Sequence, residues 1–393
     1  MKILQVNNVY GEKSTGKLTK QLHEGLLRAG QESLVVYGRG KTTREPGVIR
    51  LCPDWYGKCN NLLSRITGMP YGGCLLSTFR LMGIIRREKP DVVHLQCING
   101  YFVNIYRLIR WLKKHRIKTV VSLHAEFLYT ANCGHAFDCD QWKQGCRNCP
   151  DVRRANKSLL FDRTAASWKR MKAAFEGFRE DCIIVPVSPW TESRAKQSEI
   201  LGGFSFQTVL NGVETADLFC PGAEAPEENR VLHVTAHFSE EEDHPKGGRY
   251  LTELAKRMPE VTFLVAGRAD PVARKPENLH LLGQIRDQRE LAALYRSAKV
   301  SLLVSRRETF SMPCAESLCC GTPVVGFRAG APEQIALKEY SEFVPQGDLD
   351  ALEAALKTWL CRDPDRQGIA REAARVYSTE TMVRSFLDVY GRL

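Results

Sequence analysis

Two short apolar runs, Lys2–Val6 and Ser33–Tyr37, flank a stretch in which Leu18, Leu22 and Leu26 recur every fourth residue and Gly30 follows as a helix stop. Strand, helix and strand in this order form a βαβ unit, and parallel strands joined that way need helices on both faces of their sheet. The signals recur at Val92–Leu95, at Thr119–Leu123 after a helix around Ile105–His115, and at Cys182–Pro186. A second series starts at Val231–Thr235. It continues with a helix near Gly248–Arg257, a strand at Thr262–Ala266, a helix at Glu290–Ser297, and strands at Val300–Val304 and Pro323–Phe327. A chain of 393 residues is too long for one core, because single cores stop growing near ~250–300 residues. The expected fold is therefore α/β, with two Rossmann-like doubly wound domains. Their expected bounds are 1–212 and 230–378, joined by a linker over 213–229 that is rich in Pro, Gly and acid and includes Pro221–Glu228. Residues 379–393 read as a C-terminal helix that packs back on the N-terminal domain.

With 43% hydrophobic and 26% charged residues and no low-complexity run, the composition is that of a globular protein. The apolar run at the N-terminus is too short for a signal-peptide core, and no later stretch reaches the length of a membrane span. The expected compartment is the cytosol. A net charge of +11 favours polyanionic partners: nucleic acid, an anionic membrane face or phosphate-bearing small molecules. The basic residues are spread out and no nucleic-acid recognition motif occurs, so nucleic acid is excluded as a partner. Leu75–Lys89 and Ile105–Lys118 combine cations with Leu, Ile and Trp, which suits a peripheral position on the inner face of a membrane. Equally, both suit Rossmann helices whose apolar stripes cover a sheet.

Gly11–Lys17 has the G-x4-G-K spacing of a P-loop and follows a strand, but Leu18 stands where Ser or Thr must ligate Mg²⁺. No strand is followed by G-x-G-x-x-G, which excludes a dehydrogenase. The strongest site signal lies after the strand Val300–Val304. There Glu308 sits in a loop, Ser311 is placed to cap a helix with Met312 and Pro313 in its first turn, and Glu316 follows about a turn inside. The N–H groups of that helix start would suit a phosphate. Two carboxylates beside an anion site make sense when each hydrogen-bonds hydroxyls, as a sugar and a ribose would supply. A solvated loop Glu and an exposed helical Glu are the plain alternative.

Glu308 and Glu316, with Gly321-Thr322-Pro323 after them, resemble the E-x7-E signature of family 4 glycosyltransferases. Asn211-Gly212-Val213, Val187-Ser188-Pro189-Trp190, Lys246-Gly247, Asp91–Leu95 with His94, Leu123-His124 and Ser14-Thr15-Gly16 resemble other segments of that family in the same order, over nearly the whole chain. The resemblance implies a GT-B architecture, two Rossmann-like domains facing a central cleft. It also implies a retaining transferase that moves a sugar from a nucleotide diphosphate sugar, of UDP or GDP type, to an acceptor hydroxyl. The acceptor would be a glycan or lipid-linked glycan in cell-surface polysaccharide or glycolipid assembly. A sugar-nucleotide-binding protein of the same fold that has lost catalysis is the alternative.

Carried over position by position, Glu316 binds the ribose, Glu308 the donor sugar, and Lys246 the diphosphate. Ser311 and Met312 open the donor-side helix, Gly16 lets the first loop approach the β-phosphate, and His124 lines the sugar pocket with His94 nearby. The family's Arg before the Lys is missing here, where the strand ends Ala236-His237-Phe238, so either His237 or Arg268 takes part of its role or the diphosphate has one cation fewer. No cofactor is implied for the chemistry. Separately, Cys133, Cys139, Cys146 and Cys149 form one cysteine-rich loop ending in C-x2-C. Structural Zn²⁺ and packed free thiols both remain open readings of it.

Overall fold

A computed structural model describes residues 1–393 apart from Asn156, Glu224 and Ala273, and apart from the side chains of Arg154 and Ala155. It divides into two compact units, Met1–Leu210 with Met382–Leu393, and Asn211–Thr381. Among the described residues no helix is long and apolar enough to cross a membrane.

The first unit holds seven parallel strands: β1 (Lys2–Asn7), β2 (Glu32–Tyr37), β3 (Val48–Arg50), β4 (Val92–Leu95), β5 (Thr119–Leu123), β6 (Cys182–Pro186) and β7 (Ser205–Phe206). Their order is β3-β2-β1-β4-β5-β6-β7, so the winding reverses between β1 and β4. The central strands are buried along nearly their whole length because both faces are covered; Ile3, Leu4, Val93, Val121 and Ile184 are fully buried, and so are the polar Gln5, His94 and Thr119. Helix Ile105–Lys114 supplies part of the cover with Ile105, Leu108, Ile109 and Leu112, all fully buried. Its apolar stripe belongs to the core, which overturns its reading as a membrane helix. Each such side chain contributes roughly 1.5–3 kcal/mol through burial. Met382–Leu393 completes this unit. Val383 fills the space beside Gly25, where an added Cβ would lie 2.3 Å from its Cγ2. Tyr390 Oη lies 2.8 Å from His94 Nδ1.

The second unit holds β8 (Arg230–Phe238), β9 (Thr262–Ala269), β10 (Leu279–Gly283), β11 (Val300–Leu303), β12 (Val324–Phe327) and β13 (Ser341–Val344). These strands are also parallel, in the order β10-β9-β8-β11-β12-β13, with the reversal between β8 and β11. The core runs through Val231, Phe263, Val265, Leu302 and Val325 under Leu251, Leu254, Leu352 and Leu356.

Residues 213–229 are not a free linker. Val213, 1% exposed, bridges Ser378, and Phe219, 2% exposed, packs its ring on Tyr295 at 6.2 Å. Two buried apolar side chains hold this segment in the second unit; Glu224, within its acidic run, lies outside the described residues.

Candidate active site

In an open parallel sheet the crevice forms where the winding reverses, beyond the carboxyl ends of the strands. In the second unit β8 and β11 share only two rungs, Val231 with Val300 and Leu232 with Ser301. At the next position the side chain of His233 takes over, its Nδ1 donating to Leu302 O at 2.8 Å. That bond places the proton on Nδ1, and burial pushes the imidazole down to about 4, so the ring is neutral.

The loops that follow these two strands meet. Arg306 N–H donates to Pro245 O at 2.9 Å. Gly247 turns with φ +65°, and a Cβ there would stand 2.1 Å from Val304 O, so this approach admits only glycine. The turn delivers Lys246, whose Nζ lies 2.6 Å from Glu308 Oε1. Glu308 is held by its backbone: its N–H donates to Ala329 O at 2.9 Å, and Ala331 N–H donates to its carbonyl at 3.2 Å. Glu333 in turn accepts from the N–H groups of Ala329 and Gly330, both at 3.0 Å, and fixes the loop after β12. Helix Met312–Cys319 starts just beyond and carries Glu316, whose Oε2 accepts from Tyr295 Oη at 3.1 Å. Tyr295 is fully buried, so its hydroxyl is a fixed donor.

Ser311 stands at the cap position but does not cap with its side chain. Its φ of +86° turns the side chain away, and the carbonyl serves instead, accepting from Cys314 N–H at 3.2 Å and Ala315 N–H at 3.4 Å. Pro313 has no N–H. The N–H groups of Cys314 and Ala315 are thus engaged within the helix start itself. A non-glycine residue held in the left-handed region beside these carboxylates is local strain of the kind found at functional loops.

The model of the group 1 glycosyl transferase family matches residues 231–362, the span that contains all of these side chains. Over its full length the chain is 31% identical to a GDP-mannose-dependent α-(1-6)-phosphatidylinositol dimannoside mannosyltransferase of Mycobacterium tuberculosis, covering 97% of that protein. The chain belongs to the group 1 glycosyl transferases. It is also 23% identical to the putative colanic acid biosynthesis glycosyl transferase WcaC of Escherichia coli, with both chains covered completely. The fold of this glycosyltransferase is that of sucrose-phosphate synthase from Thermosynechococcus elongatus (TM-score 0.69, 16% identity, 100% of this chain and 99% of that one). Anabaena HepE, solved with UDP and glucose, shares the fold at TM-score 0.63 and 14% identity, with both chains covered completely.

The other expected site residues of the glycosyltransferase make the following contacts within their own units. Gly16 is not in a loop; it lies in helix Lys13–Arg28, where a Cβ would meet Val9 Cγ2 at 3.0 Å and Gly11 N at 3.3 Å. Its bare Cα accommodates its own preceding loop, which accounts for the glycine without a ligand. His94 is buried, with Nδ1 at 2.8 Å from Tyr390 Oη and Nε2 at 2.7 Å from Ser122 Oγ. Both ring nitrogens are thus engaged within the core, and the ring is a tie to the C-terminal helix, not a pocket wall. His124 follows β5, with Nε2 at 2.9 Å from Gln96 Oε1, and burial pushes it down to about 4. Arg268 is exposed and donates to Gln284 Oε1 at 3.1 Å, while His237 pairs with Asp270 at 2.8 Å. Neither joins Lys246 in this arrangement.

In the cysteine-rich loop, burial, then Cys146, Cys149 and Cys139, raise the Cys133 thiol; burial together with Cys139 and Cys149 pushes Cys146 up to about 11. Trp142, 1% exposed, anchors the loop by donating to Cys139 O at 2.7 Å. Among the described residues no three His, Cys, Asp or Glu side chains form a ready ligand set.

Sequence reasoning passed over His233, Tyr295 and Glu333. None carries a motif: His233 and Tyr295 each act through one hydrogen bond to a group distant in sequence, and Glu333 through bonds to the backbone of its own loop. Only Tyr295 left a sign, as the large polar aromatic on an otherwise ordinary core stripe.

Proposed function

We propose that this glycosyltransferase transfers a sugar, with retention of anomeric configuration, from a nucleotide diphosphate sugar to a hydroxyl of a glycan or lipid-linked glycan in polysaccharide or glycolipid biosynthesis. The observation that carries the reading is the Lys246–Glu308 pair, held by backbone bonds at the mouth of the β8–β11 reversal. During transfer the bond from the anomeric carbon to the diphosphate breaks, and the electron pair stays on the departing phosphate oxygen. A fixed ammonium there stabilises the charge as it develops. Glu308 keeps Lys246 in place before the donor arrives and accepts a hydrogen bond from a sugar hydroxyl once the ammonium turns to phosphate. Glu316, oriented by Tyr295, accepts from the ribose hydroxyls. Lys246 and the start of helix Met312–Cys319 supply positive charge to the diphosphate, and Ser311 and Met312 line its approach.

Two of the relatives bear on the partners: one is named for GDP-mannose and a phosphatidylinositol acceptor, the other for colanic acid. They support an acceptor that is lipid-borne or part of a cell-surface polysaccharide, which a cytoplasmic enzyme would meet at a membrane surface. The intact Lys–Glu pair speaks against a binding protein without catalysis. Thermal-shift screening against UDP- and GDP-sugars tests the donor, since a ligand at 100 times its Kd adds about 2.7 kcal/mol of stability. NMR of the product's anomeric proton tests retention; an inverted product would refute it.

A further inference from the structure

Helix Asp54–Thr67 is built inside out. Its buried residues are Gly57 and Ser64, while Trp55, Leu62, Leu63 and Ile66 are exposed. Leu75, Leu76 and Phe79, at the start of helix Leu75–Glu88, are exposed as well, and so are Leu159, Leu160 and Phe161. These ten side chains range from 39 to 75% exposed. The three segments adjoin: Leu159 N–H donates to Arg65 O at 2.8 Å, and Cys74 N–H donates to Asn60 Oδ1 at 2.8 Å. A contiguous apolar surface of this kind marks an interaction site, because isolated surface Leu and Phe scatter singly.

What meets it is indicated by charge. Phe79 also lines a pocket of about 410 Å³ whose wall includes Arg86, Arg107, Arg110, Lys114 and Arg170 and no carboxylate. The Arg107 guanidinium stands over the Phe79 ring at 5.1 Å, so cation and apolar ridge form one edge. An apolar protein partner would need no such pocket, and a free polyanion would need no such ridge. An anionic bilayer uses both, since stable peripheral attachment takes an apolar and an electrostatic contribution together.

We infer that this face of the first unit docks on an anionic lipid bilayer, with Leu62, Leu63, Leu76 and Leu160 entering the headgroup boundary and the five-cation pocket receiving lipid phosphate. The inference rests on the reading of the acceptor as membrane-borne and names the surface that would meet it. It differs from a membrane-lying Ile105–Lys114 helix, whose apolar side is core.

The test is co-sedimentation of the full chain with vesicles of phosphatidylcholine, alone and with phosphatidylglycerol, at low and moderate salt. The parent is expected to pellet with phosphatidylglycerol vesicles at low salt and to be released as salt screens the charges. Leu62→Ser with Leu63→Ser, and separately Arg107→Glu with Lys114→Glu, should each weaken binding about tenfold or more. All four positions are exposed, so circular dichroism and the melting shift induced by a sugar nucleotide should match the parent. Parent protein left in the supernatant at low salt would overturn the inference, as would either double variant binding like the parent. A concentration-dependent dimer lost in Leu62→Ser with Leu63→Ser, without vesicle binding, would give the face to a second copy and overturn it too. Absence of any sugar-nucleotide shift alongside intact vesicle binding would refute the donor reading instead.

Discussion

Lys246 Nζ and Glu308 Oε1 lie 2.6 Å apart although the residues are separated by 62 positions, and both side chains stay partly open, 29 and 20% exposed. A pair this exposed is screened by solvent and adds at most about 1 kcal/mol to stability. Its value lies in a cation that is already in place when a diphosphate arrives.

Lys246→Ala is accordingly expected to lower kcat on the order of 100-fold or more, with an unfolding midpoint close to the parent's. Steady-state kinetics with thermal denaturation checks both. A rate within about threefold of the parent would assign the diphosphate to another cation, Arg268 first. Glu308→Ala should also act mainly on turnover.

Glu316→Ala should raise the nucleotide Kd about tenfold, the loss of roughly 1.4 kcal/mol from ribose contacts. Tyr295→Phe removes only the bond that orients Glu316 and should show a smaller rise in donor KM with kcat nearly unchanged. Calorimetric titration with the nucleotide diphosphate and initial-rate kinetics separate the two. Equal affinity in Glu316→Ala would remove the ribose assignment.

His94 and His233 are buried neutral, held down to about 3 and about 4 by desolvation. Their folded values lie below the unfolded one near ~6.5, so the unfolded chain binds more protons as pH falls. Stability should be fully present above about pH 6.5 and be lost progressively toward about pH 3, the His233 share by about pH 4. Urea unfolding across that range checks the slope, and His94→Gln should reduce it; a flat profile would contradict neutral burial.

The zinc expectation for the cysteine loop has a direct readout. Burial raises the Cys133, Cys146 and Cys149 thiols, and a bound dication would instead take them as thiolates. Elemental analysis should then find about one equivalent of zinc, lost together with thermal stability in Cys146→Ser with Cys149→Ser. Zinc-free protein with four titratable thiols and an unchanged midpoint would leave packing as their role.

The inner strands of both sheets were legible in the sequence, Val92–Leu95, Thr119–Leu123 and Cys182–Pro186 to the residue. The four strands that were not, β3, β7, β10 and β13, are the edges of the two sheets. An edge strand is covered incompletely, so Leu279–Gly283 alternates with exposed residues and Ser341–Val344 has only Val344 buried. Neither presents the continuous apolar run that marks a central strand. Glu308, Glu316 and Lys246 were named from a resemblance, and the structure brings Lys246 to Glu308. Gly16 packs against Val9 inside a helix and His94 meets a partner 296 residues away, contacts that no local pattern announces. Helix Asp54–Thr67 was not read from the sequence, and its orientation is set by the backbone, which turns Gly57 and Ser64 inward.

The tie between His94 and Tyr390 also sets an order of events during synthesis. Met382–Leu393 are made after the whole second unit, so the first unit meets the cell with His94, Gly25 and the seat of Phe386 uncovered until that segment emerges. Its final burial waits for the second unit to be made even though most of its sheet is made first. A ribosome that stalls late releases a chain with one complete unit and one lacking its closing helix, and quality control would meet that vulnerable surface on the N-terminal half.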